Sequence, residues 1–336
     1  MKNLFDYKIE DLEKYFLELG EKKFKATQIF EWVYLHKNYN INEYSNLKKE
    51  LREILLREFN LDFIKIKSKE EDIGVKKYLF ELFDGQKIEA VLMEHDYGKS
   101  VCVSSQVGCN MGCKFCESGR LKKIRNLHTY EMVEQIILIE QDINTKIDSV
   151  VIMGIGEPFD NYDNVMNFVS IINHPKALGI GARHITISTC GLVPKIYEFS
   201  KFPLQVNLAL SLHAPNDKIR NQIMPISKVY KMEELIKAIN DYIKKTNRRV
   251  TIEYVMLYNV NDSNECAEEL AKLLRGMNVY VNLIPYNETK NIEFKKSDKV
   301  KNFQDRLLKL GINCTVRKEF GSKISAACGQ LRSKEV

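Results

Sequence analysis

Up to about residue 60 the apolar positions recur every three or four residues, as along one side of a helix. IEDLEKYFLEL sets Leu12, Phe16 and Leu19 on one stripe. KATQIFEWVYLH does the same for Ile29, Trp32 and Val33, and LKKELREILLREF turns Leu47, Leu51, Ile54 and Leu55 inward. Gly20 separates the first helix from the second. Residues 1–60 therefore read as a small helical domain. The period changes over residues 61–97. FIKIKSKE, KKYLFELFDG and KIEAVLMEHD alternate apolar and polar, the pattern of short antiparallel strands, and Asp84-Gly85 is a hairpin signal between two of them. This stretch reads as a connector.

From residue 98 onward, apolar strands and amphipathic helices take turns. SVCVSS, DSVVIMG, RHITISTC, QVNLALSLH, RRVTIEYVMLY and VYVNLIPYN are the strands, with INCTVRK a last short one. Helical segments lie between them, the first with Thr129 expected as its N-cap. Runs of Val and Ile without alternation suit parallel strands buried on both faces. Repeated βα units imply a parallel sheet or barrel, whose sites lie at the C-terminal strand ends. The polar exceptions sit there: a cysteine-rich loop, Gly156-Glu157, Ser188, His213 and Asn287.

Composition adds limits. In 336 residues, 44% hydrophobic and 29% charged, a packed core is expected. No apolar run is long enough to span a bilayer, and MKNLFDYKIEDLEKYF mixes acids among its apolar residues, unlike a secretory signal. A cytoplasmic protein with no membrane role is the expectation. The net charge of +6 suits a polyanionic partner without demanding one. Lys114, Arg120, Lys122, Lys123 and Arg125 cluster in one stretch, and Lys244, Lys245, Arg248 and Arg249 in another.

Eight cysteines, three of them clustered, point to metal or redox chemistry rather than a disulfide scaffold. Cys109, Cys113 and Cys116 stand four and three apart in CVSSQVGCNMGCKFCESG. A structural zinc site needs four ligands, and no second C-x-x-C or H-x-x-x-H pair accompanies this one. Three thiolates can instead hold three irons of a 4Fe–4S cube, leaving the fourth open. The spacing, with Phe115 before the third cysteine, resembles the signature of the radical S-adenosylmethionine (SAM) superfamily.

CVSSQVGC, MGIGEP, ITISTCG, NLALSLHAP, IPYN and AACGQL occur in the order found in the RlmN/Cfr family, and EKKFKATQIFEWVY resembles the RlmN helical domain. The resemblance spans nearly the whole chain. It implies a partial (β/α)6 radical SAM barrel over residues 98–336 and an RNA-binding role for residues 1–60. It also implies methylation of carbon-2 or carbon-8 of an adenosine in 23S rRNA, with tRNA as a further substrate, an external electron donor such as flavodoxin or ferredoxin, and a monomer. The implied cofactors are one 4Fe–4S cluster on Cys109, Cys113 and Cys116, and SAM. Gly156, Glu157, Ser188, Ser211, Leu212, His213 and Asn287 match the family's SAM contacts.

Carbon-2 of adenine is electrophilic and carries no acidic proton, so direct displacement of a methyl from SAM cannot reach it. The family's route methylates a cysteine first, and Cys328 in AACGQL matches that residue. A 5′-deoxyadenosyl radical from a second SAM takes hydrogen from the S-methyl group, and the methylene radical adds to the ring. Cys102 matches the cysteine that releases the product by a transient disulfide with Cys328. Glu89 matches the general base. As bare residues Cys102 and Cys328 read as core cysteines, and Glu89 as one acid among many. One departure stands out: Glu117 follows the third cysteine, where the family has a small residue. Pro158 in MGIGEP favours the RlmN type, because Cfr has Ala there. The readings in competition are a Cfr-type carbon-8 enzyme, a paralogue with another RNA target and a non-catalytic iron–sulfur RNA-binding protein.

Overall fold

The computed structural model describes residues 1–289, 292–318, 321 and 324–331. The helical periodicity near the N-terminus becomes α1 (Ile9–Glu18), α2 (Phe24–Phe30) and α3 (Lys49–Glu58). A short π-helical stretch, Glu31–Leu35, continues α2. Leu12, Phe16, Ile29, Val33, Leu47, Leu51 and Leu55 are buried as their spacing requires. Leu19 is not. It caps the end of α1, where the chain leaves the helix, and is 37% exposed. Trp32 and Ile54 are half-buried, with the Trp32 ring stacked on Tyr44 at 5.1 Å.

Ten strands form a single sheet: β1 (Lys65–Asp72), β2 (Val75–Glu81), β3 (Lys87–His95), β4 (Gly98–Cys102), β5 (Ser149–Ile152), β6 (Ile185–Thr189), β7 (Asn207–Ser211), β8 (Val250–Met256), β9 (Val279–Pro285) and β10 (Cys314–Val316). Their order across the sheet is their order in the chain. β1 to β4 pair antiparallel, and β4 to β10 pair parallel. The connector strands are thus the antiparallel flank of the main sheet, joined to it through β3 and β4. Seven parallel strands in an open, sequential order make the expected partial barrel.

Helices α4 (Thr129–Ile143), α5 (Tyr162–Asn173), α6 (Val193–Phe199), α7 (Asp217–Ile223), α8 (Met232–Thr246), α9 (Asn264–Leu274) and α10 (Val300–Lys309) fill the connections. The N-cap of α4 is His128, not Thr129, and it forms a capping box with Glu131. One core runs from Phe5 and Leu12 through Ile136, Ile187 and Ile252 to Leu307, so the N-terminal helices and the sheet share it. Glu134 on α4 fastens them together. Its carboxyl accepts hydrogen bonds from Asn3 Nδ2 (3.2 Å) and the Ile64 N–H (2.9 Å). Among the described residues no helix is long and apolar enough to cross a membrane.

Candidate active site

A cavity opens over the C-terminal ends of the parallel strands, with an empty volume of about 1520 Å³ when its open mouth is included. Each strand delivers one part of the wall. The loop after β4 brings Cys109, Cys113 and Cys116, and the turn after β5 brings Gly154, Gly156 and Glu157. Ser188 and Cys190 come from β6, Ser211 and His213 from β7, Glu253 and Val255 from β8, Asn287 from beyond β9 and Arg317 from beyond β10. Cys102 and Cys328 complete the wall.

The cysteine loop is held by backbone bonds rather than by helix or sheet. The Cys109 N–H donates to Leu121 O (2.9 Å), the Lys114 N–H to Ile223 O (2.9 Å) and the Cys116 N–H to Cys113 O (3.2 Å). Gly119 is required here, because a Cβ would lie 2.6 Å from Cys113 O and 2.9 Å from Cys113 N. Burial pushes the Cys109 thiol up to about 12 and raises those of Cys113 and Cys116, with neighbouring thiols adding to it. Three thiols crowded in this way are stabilised as thiolates only by positive charge among them. Among the described residues no three His, Cys, Asp or Glu side chains close around a single metal ion. The loop instead offers three separate thiols, the donor set for a cluster that holds one iron per thiolate.

Glu157 is buried, with burial raising its carboxyl above the usual range. Its two oxygens accept from the Phe159 N–H (3.1 Å) and the Cys190 N–H (2.8 Å). The carboxylate therefore orders the turns after β5 and β6, and only its remaining lone pairs can meet an ammonium. Gly156 has φ +107, and a Cβ there would strike Gln106 Cβ at 2.6 Å. Ser188 Oγ and Ser211 Oγ lie 3.3 Å apart. His213 takes a left-handed backbone (φ 58), accepts the Val255 N–H at Nδ1 (3.0 Å) and meets the Phe115 ring edge-on at 4.9 Å. Burial and then Arg220 push this imidazole down to about 3, so it is neutral near pH 7. Leu212 is the exception among the motif residues. Its side chain belongs to the core, not the cavity wall.

The C-terminal stretch carrying Cys328 lies against both the cysteine loop and the antiparallel flank. The Glu117 N–H donates to Gly329 O (2.8 Å), Ser118 Oγ to Leu331 O (2.7 Å) and Lys77 Nζ to Ile324 O (2.7 Å). Ala326 and Leu331 pack on Val75, Val91 and Cys102. Cys328 is exposed into the cavity, yet the surrounding protein still raises its thiol, with Arg317 working the other way. Burial pushes the Cys102 thiol up to about 12, Cys328 adds to this, and Arg317 again opposes it. Both cysteines are free.

Glu89 stands apart from this wall. It is 1% exposed on β3 and does not line the cavity. It lies two residues before Val91, which does, on the same strand face. Lys77 Nζ is 3.7 Å from Glu89 Oε1. Glu117 is also buried, and its Oε1 has no hydrogen-bond partner among the described residues.

Three residues with no motif to flag them shape the cavity, Glu253 and Arg317 in its wall and Arg220 behind it. Arg220 is fully buried and donates to Cys190 O (2.6 Å), Leu212 O (3.2 Å) and Ser211 O (3.4 Å), clamping the ends of β6 and β7. Glu253 accepts from Asn282 Nδ2 (3.0 Å) and lies 3.7 Å from Arg317 Nη1. Arg317 also reaches Met153 Sδ at 3.8 Å. A charged residue inside an otherwise apolar strand, as in VTIEYVM, was the available signal for Glu253.

Comparison with known proteins identifies the family and the fold. Residues 103–274 match the family model of the radical SAM superfamily, and residues 2–61 match that of the ribosomal RNA large subunit methyltransferase N-terminal domain. A Spiroplasma citri protein named "Probable dual-specificity RNA methyltransferase RlmN" is 52% identical over 339 residues, covering 99% of this chain and 98% of its own. An Enterococcus faecalis protein of the same name is 53% identical over 338 residues, covering 97% and 95%. The crystal structure of a radical SAM methyltransferase from Sphaerobacter thermophilus superposes with a TM-score of 0.93 at 40% identity, covering 99% of this chain and all of that one. The chain belongs to the RlmN family of the radical SAM superfamily, whose cofactors are a 4Fe–4S cluster and SAM.

Proposed function

We propose that the protein methylates carbon-2 of an adenosine in 23S rRNA, with tRNA as a further substrate, using a methyl first carried on Cys328. The observation that carries this reading is the meeting in one cavity of five cysteines besides Cys190. Three form the cluster loop, and two isolated ones, Cys102 and Cys328, come from segments more than two hundred residues apart in the chain. The relatives' name, dual-specificity RNA methyltransferase, supports an RNA substrate.

Cys109, Cys113 and Cys116 would hold the cluster. Gly156, Glu157, Ser188, Ser211, His213 and Asn287 would hold SAM, with Leu212 contributing through its backbone. Together these groups supply, when bound, the one-electron chemistry that makes a hydrogen-abstracting carbon radical. The protein's own part is to present a carbon on sulfur. Cys328 Sγ takes a methyl, and the derived methylene bonds to the ring carbon. The adduct, which carries the unpaired electron, would give up one electron to the oxidised cluster, and a base would remove the ring proton. Attack of the Cys102 thiolate on Cys328 Sγ breaks the sulfur–carbon bond and leaves a disulfide, the freed carbon takes a proton to become the methyl, and the external donor reduces the disulfide. Glu89 is assigned as the base on its place in the motif. It lies one same-face position before Val91, which lines the cavity.

The reaction needs the target base out of its stack, an external one-electron donor of the flavodoxin or ferredoxin type, and one chain. Pro158 in MGIGEP favours carbon-2 over carbon-8. Nucleoside mass spectrometry of rRNA and tRNA from a deletion strain tests this. Loss of 2-methyladenosine is expected, whereas loss of 8-methyladenosine alone would replace the assignment with the Cfr type.

A further inference from the structure

Strand β3 is a ramp out of the cavity. Glu89, Val91, Met93 and His95 point to one face by strand alternation. Val91 and Met93 line the cavity, and Glu89 does not. His95 is half-buried at the rim, and Tyr97, in the turn to β4, is 80% exposed. The His95 and Tyr97 rings lie parallel, with centroids 4.6 Å apart and planes 8° from each other. The second face of Tyr97 is turned outward.

The turn that carries Tyr97 is fixed in place. Gly98 has φ +132, and a Cβ there would meet Asp148 Oδ2 at 2.5 Å. The Asp148 carboxylate accepts the Lys99 N–H at 2.7 Å. Two cations lie within electrostatic reach of the ring pair. After burial, Lys318 and Arg317 are the next causes holding the His95 imidazole below its usual value, and both line the cavity. An exposed aromatic backed by a second ring and flanked by cations is wasted on solvent, but it suits a nucleobase with its phosphate alongside.

We propose that Tyr97, backed by His95, is a stacking platform for an RNA base next to the target adenosine, with Lys318 beside the connecting phosphate. The neighbour held on the rim would keep the strand open while the target enters the cavity. This rests on the RNA reading above.

The test compares wild type, Tyr97→Ala and Tyr97→Phe, each loaded with cluster, on unmodified 23S rRNA made by transcription. KM for RNA should rise about 5- to 150-fold in Tyr97→Ala and stay near wild type in Tyr97→Phe. Reductive SAM cleavage without RNA and KM for SAM should be unchanged in both. Equal RNA KM in Tyr97→Ala and wild type would overturn the platform, as would a rise in KM for SAM instead. A wild-type enzyme that leaves the RNA unmethylated would sink the functional reading itself, a different result from either.

Discussion

At the scale of single residues, the cavity is defined by positions where one atom more or one charge less is felt. Gly119 is the sharpest case. An added Cβ meets the Cys113 backbone, which has no flexible end to move aside. Overpacking of this kind costs about 1–3 kcal/mol, here concentrated on the loop proposed to hold the cluster. Gly119→Ala should therefore bind much less than the wild-type complement of iron and lose the cluster's visible absorbance while the rest of the chain stays folded. Normal iron content in that variant would mean that the loop is more adaptable than its contacts imply. Arg317 gives a second case. Burial raises the Cys102 and Cys328 thiols, and Arg317 opposes this at both. Without the guanidinium both thiols rise further, so fewer thiolates exist at a given pH. The rate of Cys328 methylation by SAM, followed by peptide mass spectrometry, should shift to higher pH in Arg317→Gln. An unmoved profile would remove Arg317 from that role.

Residues differ in how readable they are from the chain alone. Cys109, Cys113 and Cys116 announce themselves by spacing, since a short loop must carry all three. Arg220, Glu253 and Arg317 do not, because what matters is which carbonyls, amides and thiols surround them, and those come from distant strands. Leu212 shows the converse. It stands within the motif, but its side chain turns into the core.

At the scale of elements, periodicity served well where it had length to act on. Helices α4 and α8, each of 15 residues, stand where their apolar stripes place them. Helix α7 has only 7 residues and passes for loop in the sequence. Alternation revealed the strands before β4 but not that they extend the parallel sheet, since a half-buried strand looks the same at either edge. The joint between α4 and the N-terminal segment is where a prediction about stability belongs. Burial pushes the Glu134 carboxyl up to about 8 from an ordinary 4.5. Between these values only the folded chain holds the proton. Its contribution is thus complete below about pH 4.5 and is lost as pH rises to about 8. Glu134→Gln, which keeps the shape of the protonated acid, should flatten this slope. Relative to wild type the variant should gain on the order of 1–3 kcal/mol between pH 4.5 and pH 8, starting from a deficit at pH 4.5 because its NH2 faces one of the two N–H donors. Melting curves across that range check this, and parallel curves would show that Glu134 is ionised throughout.

At the scale of the whole molecule, the topology does what no local motif can. The sequential sheet carries Cys102 at its antiparallel-to-parallel junction and returns the chain's far end across the same face, so Ala326 and Leu331 pack on Val75, Val91 and Cys102. The Cys328 segment is tied to the cysteine loop by the bond from the Glu117 N–H to Gly329 O. On the proposed mechanism the Cys328 sulfur meets both a radical source and a second thiol, and its segment is tied to the cysteine loop and packed in one cluster with Cys102, three stretches remote in sequence. Cys102→Ala should strand the reaction at its last covalent stage. When that variant is produced in cells, nuclease digestion followed by peptide mass spectrometry should find an adenine nucleotide bonded to Cys328. Methylated RNA released at the wild-type rate with no nucleotide on Cys328, or a nucleotide bonded to some other residue, would show that Cys328 does not carry the methyl.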